Sequence, residues 1–112
     1  MPKKDEREPF YRIDVPEAVE MAGQPDVAVI DVREPHEYNA GHIPGATLIP
    51  VNSVFARREE LPKDKKIVFV CAVGQRSALA AELAAAAGLP PERLYTLDGG
   101  TEAWRKAGHP VE

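Results

Sequence analysis

The residue with the most evident chemistry is Cys71, the only cysteine among 112 residues. A lone cysteine cannot close an internal disulfide, so its thiol is inert in a core, bonded to another chain, or used as a reagent. It follows the apolar run Ile67-Val68-Phe69-Val70 and precedes Ala72-Val73-Gly74-Gln75-Arg76-Ser77, where a helical pattern begins. A tight loop between a strand and a helix turns successive backbone N–H groups inward, and the helix dipole adds positive potential beneath them. Gly74 can take the left-handed conformation that curls such a loop, and Ser77 reads as the helix N-cap. Arg76 brings a permanent cation able to hold an anion or tie the loop down. Amides, dipole and cation all depress a thiol pKa and so raise the thiolate fraction at neutral pH. Position alone fits a small buried hydrophobe as well as a nucleophile; the loop that follows favours the nucleophile.

Positioning such a loop requires a rigid sheet. Residues 66–70 form the strongest strand pattern, β-branched and aromatic throughout, and 27–32 is a second continuous apolar run suited to a buried parallel strand. Shorter strands are expected at 10–13, 46–49 and 93–97, and helices from Asp14 to Ala22, Pro35 to Asn39, Ser77 to Ala87 and Thr101 to Ala107. Another short helix is expected at 52–60. In the Ala-rich helix, Leu79 and Leu83 are spaced for one face and the alanines permit close packing. Strands alternating with helices imply an α/β fold, a mainly parallel sheet of about five strands flanked by helices on both faces, with right-handed crossovers. In such sheets the ligand crevice lies outside the carboxyl ends of the strands, where Cys71 falls.

The composition, 44% hydrophobic and 29% charged, is that of one globular domain. A net charge of -4 argues against nucleic acid or an anionic membrane as partner, because those contacts need clustered Lys and Arg. Residues 1–9 are charged and carry no apolar signal segment, so a flexible tail ahead of a domain over 10–112, and a cytoplasmic address, are expected. His36, His42 and His109 lack partner ligands at zinc spacing, and neither a metal nor a cofactor is expected.

The segment Cys71 to Ser77 resembles the active-site loop of rhodanese-type sulfurtransferases, Cys-x-x-Gly-x-Arg followed by a small hydroxyl residue. Two flanking segments are similar to that family's other signatures. They are Asp31-Val32-Arg33-Glu34-Pro35-His36-Glu37-Tyr38 with Gly41-His42-Ile43-Pro44-Gly45-Ala46, and Leu97-Asp98-Gly99-Gly100 with Trp104 and Gly108-His109-Pro110-Val111. The resemblance implies a rhodanese-like fold and a Cys71 persulfide that takes sulfur from a small donor such as thiosulfate and yields it to cyanide, a thiol or a sulfur-relay protein. Ala72, Val73, Gly74, Gln75, Arg76 and Ser77 would form the substrate-binding loop. Asp31 and Arg33 would brace it through an ion pair or backbone bonds, His42 would hold a turn, and Asp98, Gly99 and Gly100 would form a tight turn near the crevice. Tyr38 and Trp104 read as core aromatics.

Three alternatives stay open. Tyrosine-type or dual-specificity phosphatases and arsenate reductases resemble this family in their Cys-to-Arg loop, but theirs is one residue longer, with room for a tetrahedral group. A binding module without catalysis is the second, although such domains commonly lack the cysteine retained here. A persulfide carrier with little thiosulfate turnover is the third. Two-domain rhodaneses resemble this chain but place extra basic residues in the loop, where this one has Ala72, Val73 and Gln75; fewer fixed cations suit a less charged donor.

Overall fold

The computed structural model describes residues 1–112. In chain order the strands are β1 (Lys3–Lys4), β2 (Tyr11–Ile13), β3 (Val27–Asp31), β4 (Thr47–Leu48), β5 (Lys66–Val70) and β6 (Leu94–Leu97). The helices are α1 (Val15–Ala22), α2 (Pro35–Asn39), α3 (Gln75–Ala86) and α4 (Gly100–Lys106). The sheet order is β1-β2-β6-β5-β3-β4, parallel except for the antiparallel β1-β2 pair. No helix is long and apolar enough to cross a membrane.

Central strands bury both faces, which is why they read as unbroken apolar runs. Ile67, Phe69 and Cys71 point to the layer formed by α3 and the 51–61 segment, while Val68 and Val70 point to the layer of α1, α4 and Ile43. The strand's two-residue period therefore assigns Cys71 to the α3 side. Each fully buried Ile, Leu or Phe in these layers contributes about 1.5–3 kcal/mol, enough to hold the ends of β3 and β5 in fixed register. That register pairs Asp31 with Val70, so the two strand ends lie side by side.

Four local expectations are corrected. The charged tail is no free tail: Lys3 and Lys4 pair with Arg12 and Tyr11 as a sixth strand, and Lys4 is hydrogen-bonded to backbone carbonyls of residues 5 and 8. In place of the single helix expected at 52–60 the segment holds two short 3-10 turns, Val51–Ser53 and Arg58–Glu60, with Val51, Val54 and Leu61 buried against the sheet. The fourth strand is two residues long, shorter than the expected 46–49. Leu79 is 48% exposed, and the buried stripe of α3 is Ser77, Ala80, Ala81 and Ala84. Small side chains let the helix approach the sheet closely, and leucines on that stripe would hold it off. Trp104 and Tyr38 do pack into the core as expected, and their polar ends donate to the Pro110 and Ala46 carbonyls.

Candidate active site

The loop leaving β5 turns at Gly74, whose φ of +106° is left-handed and strained for any side chain. This single residue allows α3 to begin at Gln75, two residues before the expected start. Ser77 therefore lies inside the first turn and is not the N-cap; Gly74 occupies that place and offers no side chain. The cap is supplied by the sulfur. The Gly74 N–H donates to Cys71 Sγ at 3.0 Å, and the amides of Val73 and Ser77 also favour the ionised thiol.

Ser77 is fully buried and faces the sulfur from behind. The thiol donates to Ser77 Oγ at 3.6 Å, and Ser77 Oγ is in turn hydrogen-bonded to Thr96 Oγ1 of β6. When the thiol ionises, the Ser77 hydroxyl can rotate to donate to sulfur while accepting from Thr96. Burial is the largest single influence on the Cys71 thiol and pushes it up. The Ser77 hydroxyl and the three amides together outweigh that effect and hold it below its ordinary value of 9.0.

The start of the loop is fixed from the opposite side by α4. The Thr101 N–H donates to the Cys71 carbonyl at 2.8 Å and the Glu102 N–H to the Ala72 carbonyl at 3.1 Å. Gly100 makes this approach possible, because a Cβ there would collide with both of those carbonyl oxygens. The expected Asp98-Gly99-Gly100 turn therefore does abut the loop. Asp98 itself points away and accepts from Arg12 at 2.9 Å.

Arg76 is gripped by Glu37 of α2 in a bidentate pair, Nη1 to Oε1 at 2.7 Å and Nη2 to Oε2 at 2.9 Å. The Glu34 N–H fixes the same carboxylate at 3.0 Å. The Arg76 guanidinium, first among several causes, holds the Glu37 carboxyl down at about 2. Of the two roles open to Arg76, tying the loop to the frame is the one its geometry shows.

Asp31 and Arg33, at the neighbouring strand end, are 1% and 5% exposed and pair with each other at 2.7 Å; Arg33 also donates to the Gly41 carbonyl at 2.9 Å. They brace the turn after α2 and not the cysteine loop directly. His42 stacks on Tyr38 at 3.7 Å, with Nδ1 2.9 Å from the Tyr38 carbonyl. Its backbone also exchanges hydrogen bonds with Glu112. It holds a turn, away from the sulfur.

Glu37, Thr96 and Thr101 join the site although the sequence pattern does not assign them to it. Glu37 three residues after Glu34 reads as a helix-capping carboxylate, which it also is. Thr96 offered a usable signal, a hydroxyl in an otherwise apolar buried strand that must find a partner.

The rhodanese-like domain family model matches residues 14–107. A thiosulfate sulfurtransferase GlpE of Pseudoalteromonas translucida is 34% identical over 98 residues, which cover 88% of this chain and 91% of that protein. A sulfurtransferase of Allochromatium vinosum is 35% identical over 91 residues, covering 81% and 83%. Among solved structures, a rhodanese-related protein of Thermoplasma volcanium superposes with a TM-score of 0.80 at 32% identity, covering 90% of this chain and 96% of that one. A Rhodopseudomonas palustris protein of unknown function, named as a possible tyrosine phosphatase, gives 0.81 at 33%, covering 100% and 99%. With the strand-end cysteine loop, the parallel sheet and a family match over most of its length, the chain belongs to the rhodanese-like domain family of sulfurtransferases.

Proposed function

We propose that Cys71 carries sulfane sulfur as a persulfide between a small donor and a thiophilic acceptor. The observation that carries this reading is the seat of the sulfur: Sγ accepts from the Gly74 amide, sits against Ser77, and titrates below an ordinary thiol although it is buried. The Cys71 thiolate attacks the outer sulfur of thiosulfate, the S–S bond of the donor breaks, sulfite leaves with the bonding pair, and a new Sγ–S bond forms. The terminal sulfur of the persulfide is anionic, and the amides that favour the thiolate can stabilise it in turn. An acceptor such as cyanide or a thiolate then attacks that terminal sulfur and regenerates the Cys71 thiolate. Alanine and valine at positions 72 and 73, and the engagement of Arg76 by Glu37, leave little free positive charge for a dianion. This favours a persulfide donor or a protein relay over thiosulfate as the physiological partner.

Incubation with thiosulfate or a persulfide should add the mass of one sulfur atom, removable by cyanide or a thiol. A Cys71→Ser protein that still gained this mass would sink the reading. A phosphatase reading has a likeness in its favour. Against it stand the four residues enclosed between Cys71 and Arg76 and the carboxylate already bound to the arginine. Turnover of an aryl phosphate that depended on Cys71 would reverse that preference.

A further inference from the structure

Every residue of β6 is buried, and Thr96 is its one aliphatic hydroxyl. The register pairs Thr96 with Phe69 of β5, two residues before Cys71, and the two-residue period turns its side chain toward the α3 layer along with Leu94. There its Oγ1 is hydrogen-bonded to Ser77 Oγ, and Ser77 Oγ meets Cys71 Sγ at 3.6 Å. We propose that Thr96 is a positioning residue whose hydroxyl, acting through that of Ser77, directs a hydrogen bond onto the Cys71 sulfur whenever the sulfur is ionised. This rests on the reading of Cys71 as the sulfur-carrying nucleophile and adds a residue that serves it from another strand.

Three observations converge on it. The first is isolation: Ser77 and Thr96 are both 0% exposed, so bulk water does not reach the two hydroxyls and each must serve the other. The second is the count of protons, since each hydroxyl has one O–H to give and lone pairs to accept with. Beside the thiol, Cys71 donates to Ser77 and Ser77 donates to Thr96. Beside the thiolate, Thr96 donates to Ser77 and Ser77 donates to the sulfur. A valine at position 96 would fill the same space but leave the Ser77 oxygen without its donor, and a hydroxyl that itself accepts a hydrogen bond is the better donor to an anion. The third is rigidity. A β-branched residue in a strand has restricted side-chain rotation, so the backbone of β6 holds Thr96 Oγ1 facing Ser77. Packing accounts for the Thr96 methyl group, but not for a hydroxyl in a layer otherwise built from Ile67, Phe69 and Leu94.

Neither hydroxyl loses its proton in this change. The thiol proton passes to solvent and each O–H turns about its C–O bond, so the direction of the pair follows the charge on Cys71. The charged and titratable groups around the loop are Arg76 on α3, His36 and Glu37 on α2, the Asp31–Arg33 pair at the end of β3, and Glu102 and Arg105 on α4. None of these side chains shares a hydrogen bond with the Ser77 or Thr96 hydroxyl. Removing the Thr96 hydroxyl therefore leaves the surrounding charges in place.

The test compares the pH midpoint of iodoacetamide alkylation of Cys71 in the parent chain, in Thr96→Val and Thr96→Ser, and in Ser77→Ala with and without Thr96→Val. Thr96→Val should raise the midpoint by about half a pH unit, Thr96→Ser should restore it, and Thr96→Val should add nothing once Ser77 is alanine. A midpoint that stays or falls in Thr96→Val, one that Thr96→Ser does not restore, or an equal rise in the Ser77→Ala background would overturn the proposal. A second measurement needs no substitution at position 96: the Thr96 Cβ NMR signal of the parent chain should move with the Cys71 midpoint and lose that movement in Ser77→Ala. A signal indifferent to pH, or one that still moves without the Ser77 hydroxyl, overturns it equally. Below the midpoint, loading of Cys71 from thiosulfate should fall by about threefold in Thr96→Val, the loss of thiolate that half a pH unit represents, and above it the variant should match the parent. An equal loss at every pH would reduce Thr96 to a support of the fold. Failure of the parent chain to load from any donor refutes the sulfur-carrier reading, while the alkylation midpoints still decide the role of Thr96.

Discussion

The starts of α1 and α3 solve the same problem in opposite ways. Each leaves its first N–H groups without partners inside the helix. At α1 the chain supplies its own cap: the Glu17 N–H donates to Asp14 Oδ1 and the Asp14 N–H to Glu17 Oε1, both at 3.0 Å. At α3 the N-cap is Gly74, which has no side chain to offer, and the amides turn onto Cys71 Sγ. A carboxylate cap at α3 would consume the donors that favour the thiolate and that the proposed persulfide needs. Withholding the cap converts a structural requirement into an anion site, and the frame around it, α4 below and Glu37 beside, replaces the lost local stability.

The severest way to break this contrast is to move the frame. Gly100→Ala places a methyl group against the Cys71 and Ala72 carbonyls at a φ of +61°, and should cost about 2–4 kcal/mol in urea unfolding together with sulfur loading. Ser77→Ala attacks the sulfur seat itself. It removes the hydroxyl between Cys71 and Thr96 and leaves Thr96 unpartnered, at a cost of about 1–3 kcal/mol. Burial already pushes the Cys71 thiol up, and the Ser77 hydroxyl is the strongest of the contacts opposing it. The pH midpoint of iodoacetamide alkylation should therefore rise in this variant.

Glu37→Gln weakens the grip on Arg76 by about 1 kcal/mol, since both side chains keep some contact with water. The sign of its pH dependence is fixed by the direction of the shift. A carboxyl lowered from 4.5 to about 2 contributes stability that is present above 4.5 and lost as the pH falls toward 2. The parent chain should lose stability across that window and the variant should show a flatter profile in thermal melts. Asp14→Ala sharpens the contrast from the other side. It should cost about 1 kcal/mol of stability and leave sulfur loading unchanged, because the α1 cap has no part in the chemistry. Loss of loading in this variant would mean that the two helix starts are not independent.

The strand, cysteine, loop and helix were legible because each is written locally. A continuous apolar run makes a buried strand, a glycine lets the chain turn, and a helical pattern follows within a few residues. The alternation of such units was enough for a parallel α/β sheet. The α3 cap was misread for a physical reason: Ser77 has the right side chain for an N-cap, but Gly74 can adopt the left-handed angle that starts the helix earlier. Which donors and acceptors meet across that start depends on backbone geometry and not on residue type alone.

What the sequence by itself determined is the thiol and its local setting, Cys71 at the end of β5 and Gly74 at the turn, because these follow from chain chirality and the two-residue period of a strand. Only the tertiary structure decided what holds the setting in place. Glu37 reaches Arg76 across 39 residues, Thr96 stands behind Ser77 from another strand, and Gly100 admits the Cys71 carbonyl to α4. None of these contacts has a local signature, since they arise when the parallel strands bring distant segments to the same edge of the sheet.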